Sequence, residues 1–132
     1  MAKKKKTVAK LKQDVQKIFN EYIRLRDIDK PCISCGQFKD NMQAGHFFSV
    51  RMYDALRFDE DNCAGECSGC NCFNDSHLIP YRDNLLSRIG QQRFDELYER
   101  AANYKKNGYK WSRSELLELK EYYQKKVKEL KN

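Results

Sequence analysis

Long apolar runs are missing from this 132-residue chain, and no window approaches the ~20 apolar residues that a membrane-crossing helix needs. No apolar stretch follows Met1 and Ala2 either. Lys3, Lys4, Lys5 and Lys6 come instead, which argues against a secretory leader and makes the cytoplasm the expected compartment. No internal repeat marks a solenoid or array. Acidic residues are scarce at both ends. Residues 1–30 carry ten Lys/Arg against four Asp/Glu, and residues 81–132 carry thirteen against eight. The middle, residues 31–80, reverses the balance with three against seven. The chain as a whole is +7, which points to an anionic partner gripped by basic flanks. The acidic middle, where all six cysteines lie, calls for bound cations.

What is present is enough for one small folded domain. Aromatic residues make up 12% of the chain, but a domain this small gains only modest stability from apolar burial, so a metal staple would help. Val8, Leu11, Val15, Ile18, Phe19, Tyr22 and Leu25 recur at three- and four-residue steps, predicting an amphipathic helix over residues 7–28 that Pro31 stops. Its stripe reads as intramolecular packing or, alternatively, as a short dimer seam. Residues 32–74 lose the helical period and predict short β-prone or turn-like pieces at 32–36 and 45–50. Periodicity returns with Leu78, Tyr81, Leu85 and Ile89 up to a stop at Gly90, and again with Phe94, Leu97, Tyr98, Ala101 and Tyr104. Ser112 and Glu115 form a capping box that opens a last helix, with Leu116, Leu119, Tyr123, Val127 and Leu130 inward. The predicted class is mainly α. A basic tail (1–6) precedes a helix (7–30), then a small zinc module (31–76) and a region of three helices (77–132), all in one compact domain.

Cys32 and Cys35 form one C-x2-C pair, and Cys67 and Cys70 form another. Two-residue spacing lets both thiolates of a knuckle face one ion, so two knuckles complete a tetrahedral S4 shell suited to structural Zn2+. A disulfide framework is the alternative, as is a shell with Cys72 in place of Cys70. Cys63 and Cys72 otherwise read as small hydrophobes or free thiols. Such a shell is closed and holds the fold without doing chemistry.

Between the knuckles lie Ala44-Gly45-His46-Phe47. Asn62 stands five residues before Cys67, and Asn71 directly follows Cys70. This order resembles the HNH (His-Me finger, ββα-metal) nuclease pattern, and an Asn directly after the last cysteine is similar to phage Holliday-junction resolvases of the endonuclease VII kind. The resemblance implies that zinc pins a two-stranded ribbon to the start of a helix, with His46 facing Asn71 across a small cleft. His46 would be the general base, and Asn71 would help hold a catalytic Mg2+ or Mn2+. Asn62 would tie the loop between them. Taken singly, each has a plainer reading: His46 as a structural histidine, Asn71 as a helix cap, Asn62 as a turn residue.

The likeness runs further. Lys30-Pro31-Cys32-Ile33-Ser34-Cys35-Gly36, Leu56-Arg57-Phe58, Pro80-Tyr81-Arg82 and Arg88-Ile89-Gly90 stand in the order seen in the NinG (Rap) family of phage recombination proteins. That resemblance implies a structure-specific endonuclease acting on Holliday junctions and D-loops in a phage-infected bacterial host. It also implies a homodimer, since a junction is cut twice, and phage or host recombination proteins as further partners. Lys3, Lys4, Lys5, Lys6, Arg51, Arg57 and Arg82 are the candidate phosphate contacts, each equally readable as a solvated charge. Two positions depart from the pattern. Ala64 stands where the family has His, and Gly45 where many HNH enzymes carry an acidic metal ligand, leaving Glu60 or Glu66 to supply a carboxylate. These departures favour a second reading, a non-catalytic zinc module that binds branched DNA. A third is a protein-interaction adaptor whose basic helices dock onto acidic partners.

Overall fold

The computed structural model describes residues 5–73 and 76–132. Helix α1 (Val8–Arg26) starts where the Thr7 hydroxyl accepts a hydrogen bond from the Lys10 amide. It buries Leu11, Val15, Phe19 and Ile23, the heart of the stripe seen in the sequence. The helix stops at Asp27, four residues before Pro31. Asp27 is also a clamp: its buried carboxylate accepts from Arg26 Nε (2.8 Å) and Nη2 (2.9 Å) and from the backbone amide of Gly65 (2.9 Å). The end of α1 is thereby fastened to the sheet.

That sheet is a two-stranded antiparallel ribbon of β1 (Met42–His46) and β2 (Cys63–Cys67), in register Met42↔Cys67 to His46↔Cys63. Residues 32–36 form a turn, one of the two forms expected there, whereas of 45–50 only Gly45 and His46 lie in a strand, which begins three residues earlier at Met42. The turn at 32–36 is set by the knuckle, where the Gly36 amide bonds to the Cys32 carbonyl (2.9 Å) and Gly36 takes a left-handed φ of 74°.

Helix α2 (Ser68–Phe73) follows β2 without a break, so the local order is strand, strand, helix. Three longer helices complete the chain: α3 (Leu78–Ile89), α4 (Gln91–Asn107) and α5 (Arg113–Lys131). The reciprocal capping box at Ser112 and Glu115 is formed. Gly90 and Gly108, with φ of 87° and 71°, end α3 and α4.

Two apolar clusters sandwich the ribbon. On one side Phe47, Ala64, Tyr81, Leu85, Phe94 and Leu97 join β2 to α3 and α4. On the other, Val15, Phe19, Ile23, Cys63, Leu116 and Tyr123 join it to α1 and α5. Alternate residues of β2 therefore serve opposite cores, and all five are buried. Helices α1 and α5 lie side by side and run in the same direction: Arg113 meets Lys6, Lys120 meets Asp14, and Lys131 meets Glu21. No described helix is long and apolar enough to cross a membrane.

Candidate functional site

The two knuckles come together. The Sγ atoms of Cys32, Cys35, Cys67 and Cys70 all lie within 4.8 Å of one another, and Cys35 and Cys67 are 3.9 Å apart. A regular ZnS4 tetrahedron with bonds of about 2.3 Å places its sulfurs about 3.8 Å apart, so these four cysteines could hold a zinc ion. Backbone amides already point at the sulfurs, Cys67 N to Cys32 Sγ (3.3 Å) and Cys35 N to the same atom (3.5 Å). Burial opposes ionisation of Cys67, but the Cys70 amide and the neighbouring thiols outweigh it and hold that thiol at about 7. Burial pushes the Cys32 and Cys70 thiols up. Cys63 takes no part. It is buried in the α1 core with its thiol pushed well up by desolvation. Cys72 is exposed and reaches Gln43 Oε1 at 3.3 Å.

His46 is the last residue of β1. Its ring stacks on Phe19 of α1 (centroids 6.4 Å apart, 28° between planes), and Nε2 lies 3.0 Å from the carbonyl oxygen of Arg57. A carbonyl only accepts, so Nε2 carries the proton and the neutral ring keeps Nδ1 as a bare acceptor. No hydrogen bond from a described residue reaches Nδ1. Burial lowers the pKa of His46, the Arg57 carbonyl opposes that, and the Arg57 charge adds to it; the ring is held neutral. Asn62 is fully buried. Its Oδ1 accepts from the Phe48 amide (2.8 Å), and its Nδ2 donates to the carbonyls of Phe48 (2.9 Å) and Leu56 (3.2 Å). One side chain thus closes both ends of the loop between Phe48 and Leu56.

Asn71 sits on α2, where its Nδ2 donates to Gln43 Oε1 (2.8 Å). His46 is three residues from Gln43 along β1, about 10 Å at strand rise, and the odd spacing puts the two side chains on opposite faces. The face-to-face pairing of His46 with Asn71 is therefore absent. The reason is topological: α1 covers the His46 face of the ribbon while α2 and α3 cover the other.

Among the candidate cations, Lys3 and Lys4 lie outside the described residues. Lys5 is exposed, and Lys6 pairs with Asp14 (2.8 Å). Arg51 is exposed on the loop after β1. Arg57 is committed internally, to Asp54 (2.8 Å) and Gln16 (2.9 Å). Arg82 is exposed, with its guanidinium 5.3 Å from the Phe94 ring centroid. Glu60 accepts from the hydroxyls of Tyr22 and Tyr123, both at 3.0 Å, so its carboxylate braces α1 against α5.

One constellation has no signature in the sequence. Glu66 is completely buried; its Oε2 accepts from the Ser34 hydroxyl and lies 2.7 Å from His77 Nδ1, while Oε1 has no partner among the described residues. Its carboxyl fills the room beside Gly45. A Cβ there would come within 2.9 Å of the Glu66 Cβ and closer still to Oε1. Residues 34, 45, 66 and 77 come from four separate segments, so no spacing rule finds them. Ala64 is buried in the core shared with α3 and α4.

A two-stranded ribbon knotted by four cysteines, followed at once by a helix and clasped between two helical layers, defines a small, mainly helical protein with a candidate zinc centre. The family model described as Bacteriophage Lambda NinG protein matches residues 1–132, and the chain belongs to the NinG family. Over 121 residues, 91% of its length, it is 39% identical to Protein ninG of Escherichia phage 933W and of Escherichia phage lambda. It is 36% identical over the same length to Protein ninG of Salmonella phage P22. The chain spans 57–58% of the length of these relatives. No solved structure matches it.

Proposed function

We propose that the chain is a divalent-metal-dependent HNH-type endodeoxyribonuclease that cuts branched DNA, Holliday junctions and D-loops, during phage recombination in the bacterial cytoplasm. The observation that carries this reading is the state of His46. An imidazole at the end of the first strand is kept neutral by burial and fixed by the Arg57 carbonyl in the tautomer that leaves Nδ1 free. That is the form a general base must have to take a proton from the attacking water. The strand, strand, helix order and the zinc-competent knot supply the rigid frame such a base needs.

In this reading Arg57 orients through its carbonyl rather than by touching phosphate. Asn62 holds the loop that carries Phe48 to Leu56. Arg51, Arg82 and the lysines at the N-terminus meet the DNA backbone. Zinc in the knot is structural. A bound Mg2+ or Mn2+ would offset charge on the phosphate and the leaving oxygen; with Asn71 held to Gln43 on the other face of the ribbon, the ion's protein donors would have to come from the His46 side. Two cuts across a junction call for a homodimer, with phage or host recombination proteins as further partners.

A specific observation favours the second reading, a non-catalytic zinc module that binds branched DNA: His46 and Asn71 occupy opposite faces of the ribbon. Incubation of labelled four-way junction, D-loop and plain duplex with and without Mg2+ separates the two. The nuclease reading expects Mg2+-dependent cutting of the branched substrates, lowered at least ~100-fold by His46→Ala. A His46→Ala variant as active as the parent removes His46 from the mechanism. Tight junction binding with no cutting under any divalent ion leaves the binding module.

A further inference from the structure

Immediately beyond His46 the chain turns into an apolar opening on the α3 side. A cleft of about 530 Å3 lies between the loop carrying Phe48 and Tyr53 and the first turns of α3, with Leu78, Ile79 and Arg82 on the far wall. Its volume falls in the range of roughly 300–1,000 Å3 usual for ligand sites. Its wall is aromatic. Phe48 and Tyr53 are tilted at 57° with centroids 4.8 Å apart, and Phe47 packs against Phe48 from beneath (4.9 Å). Its wall also holds Arg82 and Asp83, paired at 3.5 Å, and further cations stand beside it: Lys105 Nζ is 4.4 Å from the Tyr53 ring centroid, and the exposed Arg51 lies two residues before Tyr53. Ile79, at 71% exposed, and Leu78, at 41%, are large apolar side chains left in water at the mouth.

We propose that this cleft receives an unpaired nucleobase of the DNA, stacked on Phe48 and Tyr53 with its flanking phosphates on Arg51, Arg82 and Lys105. Aromatic faces alone would suit many apolar ligands. Aromatic faces with Arg82 in the wall and Lys105 and Arg51 close to Tyr53, three cations against the one carboxylate of Asp83, favour a flat apolar group that carries anionic neighbours, and an unstacked nucleotide has that shape and charge. The proposal rests on the branched-DNA reading and gives it a physical basis. The displaced strand of a D-loop is already unpaired and base pairs at a junction lack one continuous stacking neighbour, so their bases enter at less cost than bases of a perfect duplex. Preference for branched DNA then comes from base capture and requires no base-edge hydrogen bonds. The cleft begins at Phe47, the residue next to His46, so a captured base sits close along the chain to the proposed general base.

The test uses the full chain, without divalent ion, and a DNA in which 2-aminopurine is the unpaired base at the branch of a three-way junction. A matched probe carries it fully paired in duplex. Binding should quench the 2-aminopurine fluorescence in the junction and leave the duplex probe unchanged. Tyr53→Ala should abolish the quench and weaken junction binding about five- to a hundredfold, with duplex binding unaltered. Ile79→Glu, a change at an exposed position that leaves the core intact, should do the same by placing a carboxylate where phosphates pass. Junction binding with no quench overturns the proposal, as do Tyr53→Ala and Ile79→Glu variants that quench as the parent does. Loss of a dimer in sedimentation on Ile79→Glu, with the quench retained, also overturns it and assigns the cleft to a second copy of the chain. Because no metal is present, failure of the nuclease reading shows separately, as normal quenching by a protein that cuts nothing when Mg2+ is added.

Discussion

Substituting Gly45 by Ala tests the packing at the ribbon most sharply. The new Cβ would stand 2.9 Å from the Glu66 Cβ and 3.1 Å from its Cδ, closer than a packed side chain accepts without a shift. Glu66 has nowhere to retreat. It is 0% exposed, Ser34 and His77 hold its Oε2, and its backbone is fixed opposite Gln43 in the register. Overpacking of this kind costs about 1–3 kcal/mol. Glu66→Ala alone takes Oε1 and Cδ out of the space but keeps the Cβ, strips Ser34 and His77 of their acceptor and leaves a cavity, for a cost of about 2–4 kcal/mol. In the double variant the carboxyl at position 66 no longer competes with the Cβ at position 45, and only the two Cβ atoms, 2.9 Å apart, still crowd each other. The double variant should therefore lose less than the sum of the two single costs, with a coupling of about 0.5–3 kcal/mol between the sites. Urea unfolding of the zinc-loaded protein measures all four corners of the cycle. At slopes of about 1–3 kcal/mol/M, a loss of about 2 kcal/mol moves the midpoint by about 1 M. Costs that add to within about 0.5 kcal/mol would refute the reasoning, because they would mean the two side chains never compete for space.

The remaining expectations are simpler. Zinc analysis should find one ion per chain, and a chelator or Cys67→Ser should release it and abolish cooperative unfolding followed by circular dichroism; a chain that melts unchanged after metal removal excludes a structural role. The lowered pKa of His46 means that the unfolded chain binds that proton first as pH falls. Its contribution to stability is therefore full above the ordinary 6.5 and lost as pH drops from there toward the lowered value, and cutting should retain a neutral base below pH 6.5. A pH–rate profile whose acid limb falls at or above 6.5 contradicts this. Asp27→Asn removes a buried charge shared by Arg26 and the Gly65 amide and should cost about 3–5 kcal/mol in urea unfolding; a loss under about 1 kcal/mol would show that the clamp between α1 and β2 is dispensable.

The parts of the molecule that sequence reasoning finds are those whose geometry is local. The C-x2-C pairs declare themselves because two residues are the span of one knuckle. The helices declare themselves through stripes such as Leu11, Val15, Phe19 and Ile23, and α5 through its capping box. The ribbon is implied by the family resemblance, but its bounds escape periodicity for a physical reason. β2 is buried on both faces, so Cys63 to Cys67 shows no alternation of apolar and polar residues, and β1 is half-buried over most of its length. Arg57 reads as a phosphate contact because sequence cannot reveal that Asp54 and Gln16 already hold its guanidinium. The cluster of Ser34, Gly45, Glu66 and His77 is invisible because it exists only after four segments have folded together. Stripes also take in residues that stay partly in water: Leu78 and Leu130 at stripe ends and Tyr98 within one lie 39–47% exposed.

The parallel seating of α1 on α5 also sets an order of assembly. Helix α1 has its main partner far along the sequence, with Lys6 and Arg113 separated by 107 residues. The knuckles, only 32 residues apart at Cys35 and Cys67, can close around an ion well before that. Loop-closure entropy favours the nearer union, so α1 can dock on the ribbon, with Phe19 against His46 and Phe58, before α5 closes over it. A chain interrupted before residue 113 would keep that docking but leave bare the face of α1 that Leu116 and Tyr123 cover, an adhesive stripe.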